Sequence, residues 1–126
     1  MDDKFEEKWI DAFAPNVSLE KRQKIGVGGE GYLWHACSFD LIEHVEGEKA
    51  SELYDTADKE GAIEVHYEPW RKCAHAKAEP LKASHKKALD IEKSGLIEFY
   101  VIGRDYDWCY IVTHETDLGP YFITRR

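Results

Sequence analysis

The chain has no apolar run approaching the ~20 residues that a membrane-spanning helix needs. Its longest approach is LIEFYVI at 96–102. A basic start followed by an apolar stretch, the mark of an export signal, is also missing, since MDDKFEEKWIDAF is acidic and amphipathic. Cysteine is scarce. Cys37, Cys73 and Cys109 are odd in number and far apart, so they do not form a disulfide framework, and a reducing cytoplasm is the simpler setting. Basic charge is in deficit as well, with 17 Lys and Arg against 25 Asp and Glu and a net charge of −8. That balance argues against nucleic acid as the main partner, because neutralising phosphates dominates such binding.

What is present is a core. Four Trp, seven Tyr and five Phe in 126 residues supply the apolar bulk for one domain spanning 1–126. The acidic charge is concentrated. From Asp40 to Glu68 there are ten acidic residues against Lys49 and Lys59, whereas Pro69–Ser94 holds seven Lys or Arg against Glu79, Asp90 and Glu92. Such a distribution suits either a solvated helical surface or a basic protein partner drawn in by steering.

Periodicity places the elements. Phe5, Trp9, Ala12 and Phe13 share one face of a helix over 2–14, and a short helix over 18–24 takes Ser18 as its cap. YLWHACSF (32–39) reads as a strand. A third helix runs from Glu48 to about Lys59, with Ala50, Leu53, Tyr54 and Ala57 inward. AIEVHYE (62–68) alternates, with Ile63, Val65 and Tyr67 on the inner side and Glu64, His66 and Glu68 outward. An irregular stretch, PWRKCAHAKAE, leads to a fourth helix over 81–93 that opens beside Pro80. LIEFYVIGR (96–104) and WCYIVTHE (108–115) form a hairpin around 105–107, and PYFITR (120–125) adds a further strand. The expected fold is α+β, an antiparallel sheet of four to five strands with helices packed on one face. Because the long strands are apolar on both sides, the other face needs partial cover too.

Candidate chemistry is sparse. GVGGEG (26–31) has the Gly-x-Gly-x-x-Gly spacing of a dinucleotide loop, but a helix precedes it and a strand follows, the reverse of the required order. It reads as a connector, and no cofactor is expected. His35-x-Cys37 and Cys73-x-His75 would offer four zinc ligands if both segments were extended; the alternative makes Cys37 a core residue and places Cys73 and His75 in a basic surface loop. Cys73, beside Arg71, Lys72 and His75, is the best thiolate candidate, though no third group orients it. His114 and Glu115 could form an acid–base pair at a strand end, or His114 could simply be satisfied within the core.

Leu33-Trp34-His35 with Ser38-Phe39, then Gly47 and Ala50, then Trp108-x-Tyr110-x-Val112-Thr113-His114-Glu115 and Gly119-Pro120-Tyr121-Phe122, make a longer pattern. In these residues the chain resembles a family of small bacterial proteins known only as a domain of unknown function, and the likeness runs from about Trp9 to Phe122. It implies His35, His114 and Glu115 as a shared site. By analogy with small acidic bacterial proteins, it also implies an immunity-type role. Three functions therefore stand open. The first is a cytosolic protein-binding module with an acidic surface. The second is a small hydrolase or metal-dependent enzyme built on His35, His114 and Glu115. The third is a homodimer joined through strand 120–125.

Overall fold

The structure, a computed structural model, describes residues 5–25, 33–68, 73–76, 99–113 and 119–125. The glycine loop, the fourth helix expected over 81–93, and both His114 and Glu115 lie outside the described residues.

Among the described residues, the helical and strand periods resolve into four α-helices and six strands. Helix α1 (Phe5–Phe13) buries Phe5, Trp9, Ile10, Ala12 and Phe13, the stripe that its spacing predicts. Helix α2 (Leu19–Ile25) opens where the Lys21 N–H donates to Ser18 Oγ at 3.2 Å, so Ser18 caps it as expected. Then come α3 (His35–Ser38), β1 (Val45–Glu46), α4 (Glu48–Thr56), β2 (Ile63–Glu68), β3 (Cys73–Ala76), β4 (Phe99–Ile102), β5 (Trp108–Val112) and β6 (Tyr121–Thr124). The strands form one antiparallel sheet in the order β1-β6-β5-β4-β2-β3. Five strands have four or more residues, and β1 adds a two-residue rung at the edge. The fold is α+β, with the larger group of helices on one face.

Alternation along the strands divides the interior in two. Val65, Tyr100, Ile102, Cys109, Ile111, Tyr121 and Ile123 face α1 and α3. Val101, Tyr110, Val112 and Phe122 face α4, which supplies the partial cover that doubly apolar strands require. The Trp9 indole N–H donates to Cys109 Sγ at 3.4 Å and ties α1 to the centre of the sheet. On the opposite side the Tyr54 and Tyr110 rings stack at 4.3 Å and 9°.

Several expectations need correction. YLWHACSF is not a strand, because Leu33, Trp34, Ala36 and Cys37 are the buried positions, and that spacing belongs to a helical turn rather than to alternation. The stretch read as irregular contains β3, paired with β2 in the register His66↔His75 and Glu68↔Cys73. Helix α4 ends at Thr56 instead of near Lys59, because Ala57 is extended and the Lys59 ammonium turns back onto the carbonyls of Tyr54, Asp55 and Ala57. Glu64, expected outward, is only 5% exposed, since its side of β2 belongs to the face that α4 covers.

The expected β4–β5 hairpin forms, with Asp105 and Tyr106 both at positive φ (56° and 58°), as a type I′ turn demands. Tyr106 is an unusual residue there, and its ring packs on Phe13 at 6.1 Å. Gly103 lies beneath the Trp108 indole, and a Cβ at that position would sit 2.4 Å from Nε1. Its φ of −69° is ordinary, so the requirement is one of space. Gly103→Ala should therefore lose about 1–3 kcal/mol by overpacking, read from the urea unfolding midpoint. An unchanged midpoint would show that the indole does not need this seat.

Candidate functional site

The short α3 turn carries His35 and Cys37 to the end of the sheet occupied by β1 and β6. Trp34 lies against Tyr121, with ring centroids 6.5 Å apart and planes within 20°. The half-buried His35 ring stands edge-on to Trp34 at 4.7 Å and to Phe39 at 5.6 Å. Because the segment is helical, side chains two residues apart diverge. His35 and Cys37 therefore lack the shared projection that a zinc pair on an extended segment would have. Cys73 and His75 do lie on an extended strand, with His75 opposite His66 in the ladder. Among the described residues, no group of three His, Cys, Asp or Glu is arranged to hold a metal ion.

The sequence reading missed His44. Its side chain is 9% exposed, and its ring meets Tyr121 edge-on at 5.5 Å. Nδ1 lies 2.9 Å from the Ile42 carbonyl, an arrangement that requires the hydrogen on Nδ1. Asp40 Oδ1 stands 3.9 Å from Nδ1, and Glu46 Oε1 stands 3.7 Å from Nε2. The loop that holds this ring is tightly folded. Asp40 adopts φ 59°, Gly47 adopts 74°, and the Gly47 N–H donates to the Pro120 carbonyl at 2.9 Å. A lone histidine inside an acidic run carries no spacing signal, so only the fold reveals this cluster.

Neither described thiol is built for nucleophilic work. Burial pushes Cys37 well above the ordinary thiol range, and nearby Cys109, Glu46 and Asp40 raise it further. Cys109 is pushed up to about 12 by burial, against a lowering contribution from the Trp9 hydrogen bond. Tyr121 likewise rises to about 12, through burial first and then the neighbouring Cys37 and Glu46. On the other face, burial takes Tyr54 to about 12, helped by Glu64, Tyr110 and Asp55. Among the described residues, the buried hydroxyls of Tyr54 and Tyr121 have no hydrogen-bond partner.

The exposed counterpart of these buried groups is acidic. Asp40, Glu43, Glu46, Glu48, Glu52, Asp55, Asp58 and Glu60 are all exposed along β1, α4 and their flanking loops. Lys49 is exposed among them, whereas Lys59 is partly buried, with its ammonium 4.5 Å from the Tyr54 ring centroid. Phe39, 55% exposed, immediately precedes Asp40 in the chain.

The model of a family described as a domain of unknown function, DUF4275, matches residues 2–122. Neither the curated proteins nor the solved structures contain a match to the chain.

Two measurements follow from this geometry. In a Cys73→Ser variant, Cys37 and Cys109 should resist a thiol reagent at pH 8 in the native state and label promptly in guanidinium chloride; prompt native labelling would contradict the sealed core. The tyrosines give a pH dependence. An unfolded tyrosine ionises near pH ~10, whereas Tyr54 and Tyr121 hold their protons to about 12. The native state therefore binds more protons than the unfolded state between those values, and stability should fall with rising pH across that window. Tyr54→Phe and Tyr121→Phe should flatten the decline in the urea midpoint.

Proposed function

The chain belongs to the DUF4275 family, and we propose that it serves as a protein-binding module of the cytosol, taking a basic partner on its acidic surface. The observation that carries this reading is the grouping of eight exposed carboxylates over residues 40–60. The partly buried ammonium of Lys59 is committed to the end of α4. A surface of one sign raises the local concentration of an oppositely charged partner and accelerates encounter. The exposed Phe39 adds the apolar contact that charge alone lacks. An immunity-type role, in which the module occludes a basic protein, fits the same surface chemistry.

Support also comes from the interior. The cysteines at 37 and 109 are sealed and held as thiols, and His35 rests against two aromatic rings. No described helix is long and apolar enough to cross a membrane.

The reading is tested by capture from cell lysate on immobilised wild-type chain and on a Glu48→Lys, Glu52→Lys, Asp55→Lys variant. Basic proteins retained by the wild type should be lost from the variant, and should elute from the wild type as ionic strength rises and the ~8–10 Å screening length shortens. Equal retention by both would refute an acidic binding surface.

A further inference from the structure

Among the described residues, β1 pairs with β6 at Tyr121 and Phe122 alone, although β6 continues to Thr124. Direction along β6 alternates. The Pro120 carbonyl accepts from Gly47 on the β1 side, and the Arg125 N–H donates across to Asp107 on the β5 side at 2.8 Å. Thr124 shares the parity of Pro120, so its N–H and C=O point towards the side where β1 has already ended. The chain leading into β1 bends away at 41–43 instead of running alongside. A groove of about 270 Å³ opens there, between the end of α1 and the 41–43 segment. Phe13, Val17, Leu41, Ile42 and Ile123 make its apolar lining, and exposed Glu43 and Thr124 stand on its rim.

We propose that this groove is a strand-addition site. An extended segment of a basic partner pairs with the Thr124 rung, seats one apolar side chain between Val17 and Ile42, and sets flanking Lys or Arg against Glu43. The inference deepens the protein-binding reading and rests on it. Three observations select this occupant. At about 270 Å³ the groove has room for an apolar side chain. An open rung beside an apolar slot is the arrangement that extended peptides use, with backbone bonds giving affinity and side-chain pockets giving specificity. The charges nearby are acidic: Asp11, Asp40, Glu43 and Glu46 are exposed in adjoining segments, while the Arg125 guanidinium reaches back to the Asp105 carbonyl at 3.0 Å. A second copy paired through this same edge would set its own exposed Glu43 and Glu46 against these carboxylates.

The test is selection from a phage-displayed library of random peptides on the full chain. Enriched peptides should place an apolar residue between Lys or Arg. Thr124→Pro removes the outward N–H without breaking a bond to β5, and Val17→Glu fills the slot with charge; each should weaken a selected peptide about tenfold or more, the loss of one good anchor. Circular dichroism checks folding, and either variant alone suffices if the other does not fold. Failure to enrich any peptide, an acidic consensus, or binding indifferent to both variants would overturn the site. Binding lost only in the Glu48→Lys, Glu52→Lys, Asp55→Lys variant would overturn the groove while leaving the acidic-surface reading intact. A wild-type dimer in light scattering that Thr124→Pro dissolves would also overturn it, by assigning the rung to a second copy.

Discussion

The structure depends on β5 being apolar on both faces. Cys109, Tyr110, Ile111 and Val112 are each no more than 2% exposed, so consecutive residues of one strand enter two separate interiors. Burial of a large apolar side chain contributes roughly 1.5–3 kcal/mol, and that gain requires a lid on each side of the sheet. Helices α1 and α3 form one lid, with Trp9 and Trp34 as its main masses. Helix α4 forms the other through Ala50 and Tyr54. The ladder fixes which residues share each interior, because a slip of one residue would exchange the two sets.

This constraint also accounts for the chemistry of the buried polar groups. The two described thiols and the hydroxyls of Tyr54 and Tyr121 lie where the sheet needs volume, and desolvation holds them in their neutral forms. They act as packing. Charge is displaced to the outer side of the lids, most heavily to α4. The helix that seals the second interior with Ala50 and Tyr54 turns Glu48, Glu52 and Asp55 to solvent. The acidic surface and the second core are thus two sides of one amphipathic helix, and β1 hangs beside it through the Gly47–Pro120 bond.

Elements held by local pattern were legible in the sequence. The stripe of α1, the Ser18 cap, the inner face of α4 and the β4–β5 hairpin all follow from spacing that a single segment contains. Where tertiary context decides, the pattern misleads. The aromatic content of 32–39 favours a strand on propensity, yet Leu33, Trp34, Ala36 and Cys37 enter the first interior from a single helical turn. Glu64 alternates like an outward residue, but its row continues through Val101, Tyr110 and Phe122, which α4 covers. His44 was invisible for the same reason. Its neighbours are Tyr121, more than seventy positions away, and an Ile42 carbonyl presented by a folded loop. Of the candidate site residues, His35 and Cys37 are placed by the structure, one against aromatic rings and the other inside the core.

A sheet edge is a standing hazard, because unpaired backbone groups template association with any other strand. Here one edge is managed with little material. Strand β1 is only two residues long, one of them an exposed glutamate, and among the described residues it stops short of the last rung of β6. Full cover would have required the 41–44 segment to extend, yet that segment instead wraps His44 against Tyr121 and lines the groove with Leu41 and Ile42. In the proposed strand-addition site, the carboxylates beside the rung would attract a basic segment. Exposed carboxylates beside a sheet edge disfavour pairing with segments of like charge, so on that proposal one electrostatic property would both discourage edge-to-edge pairing and select the partner.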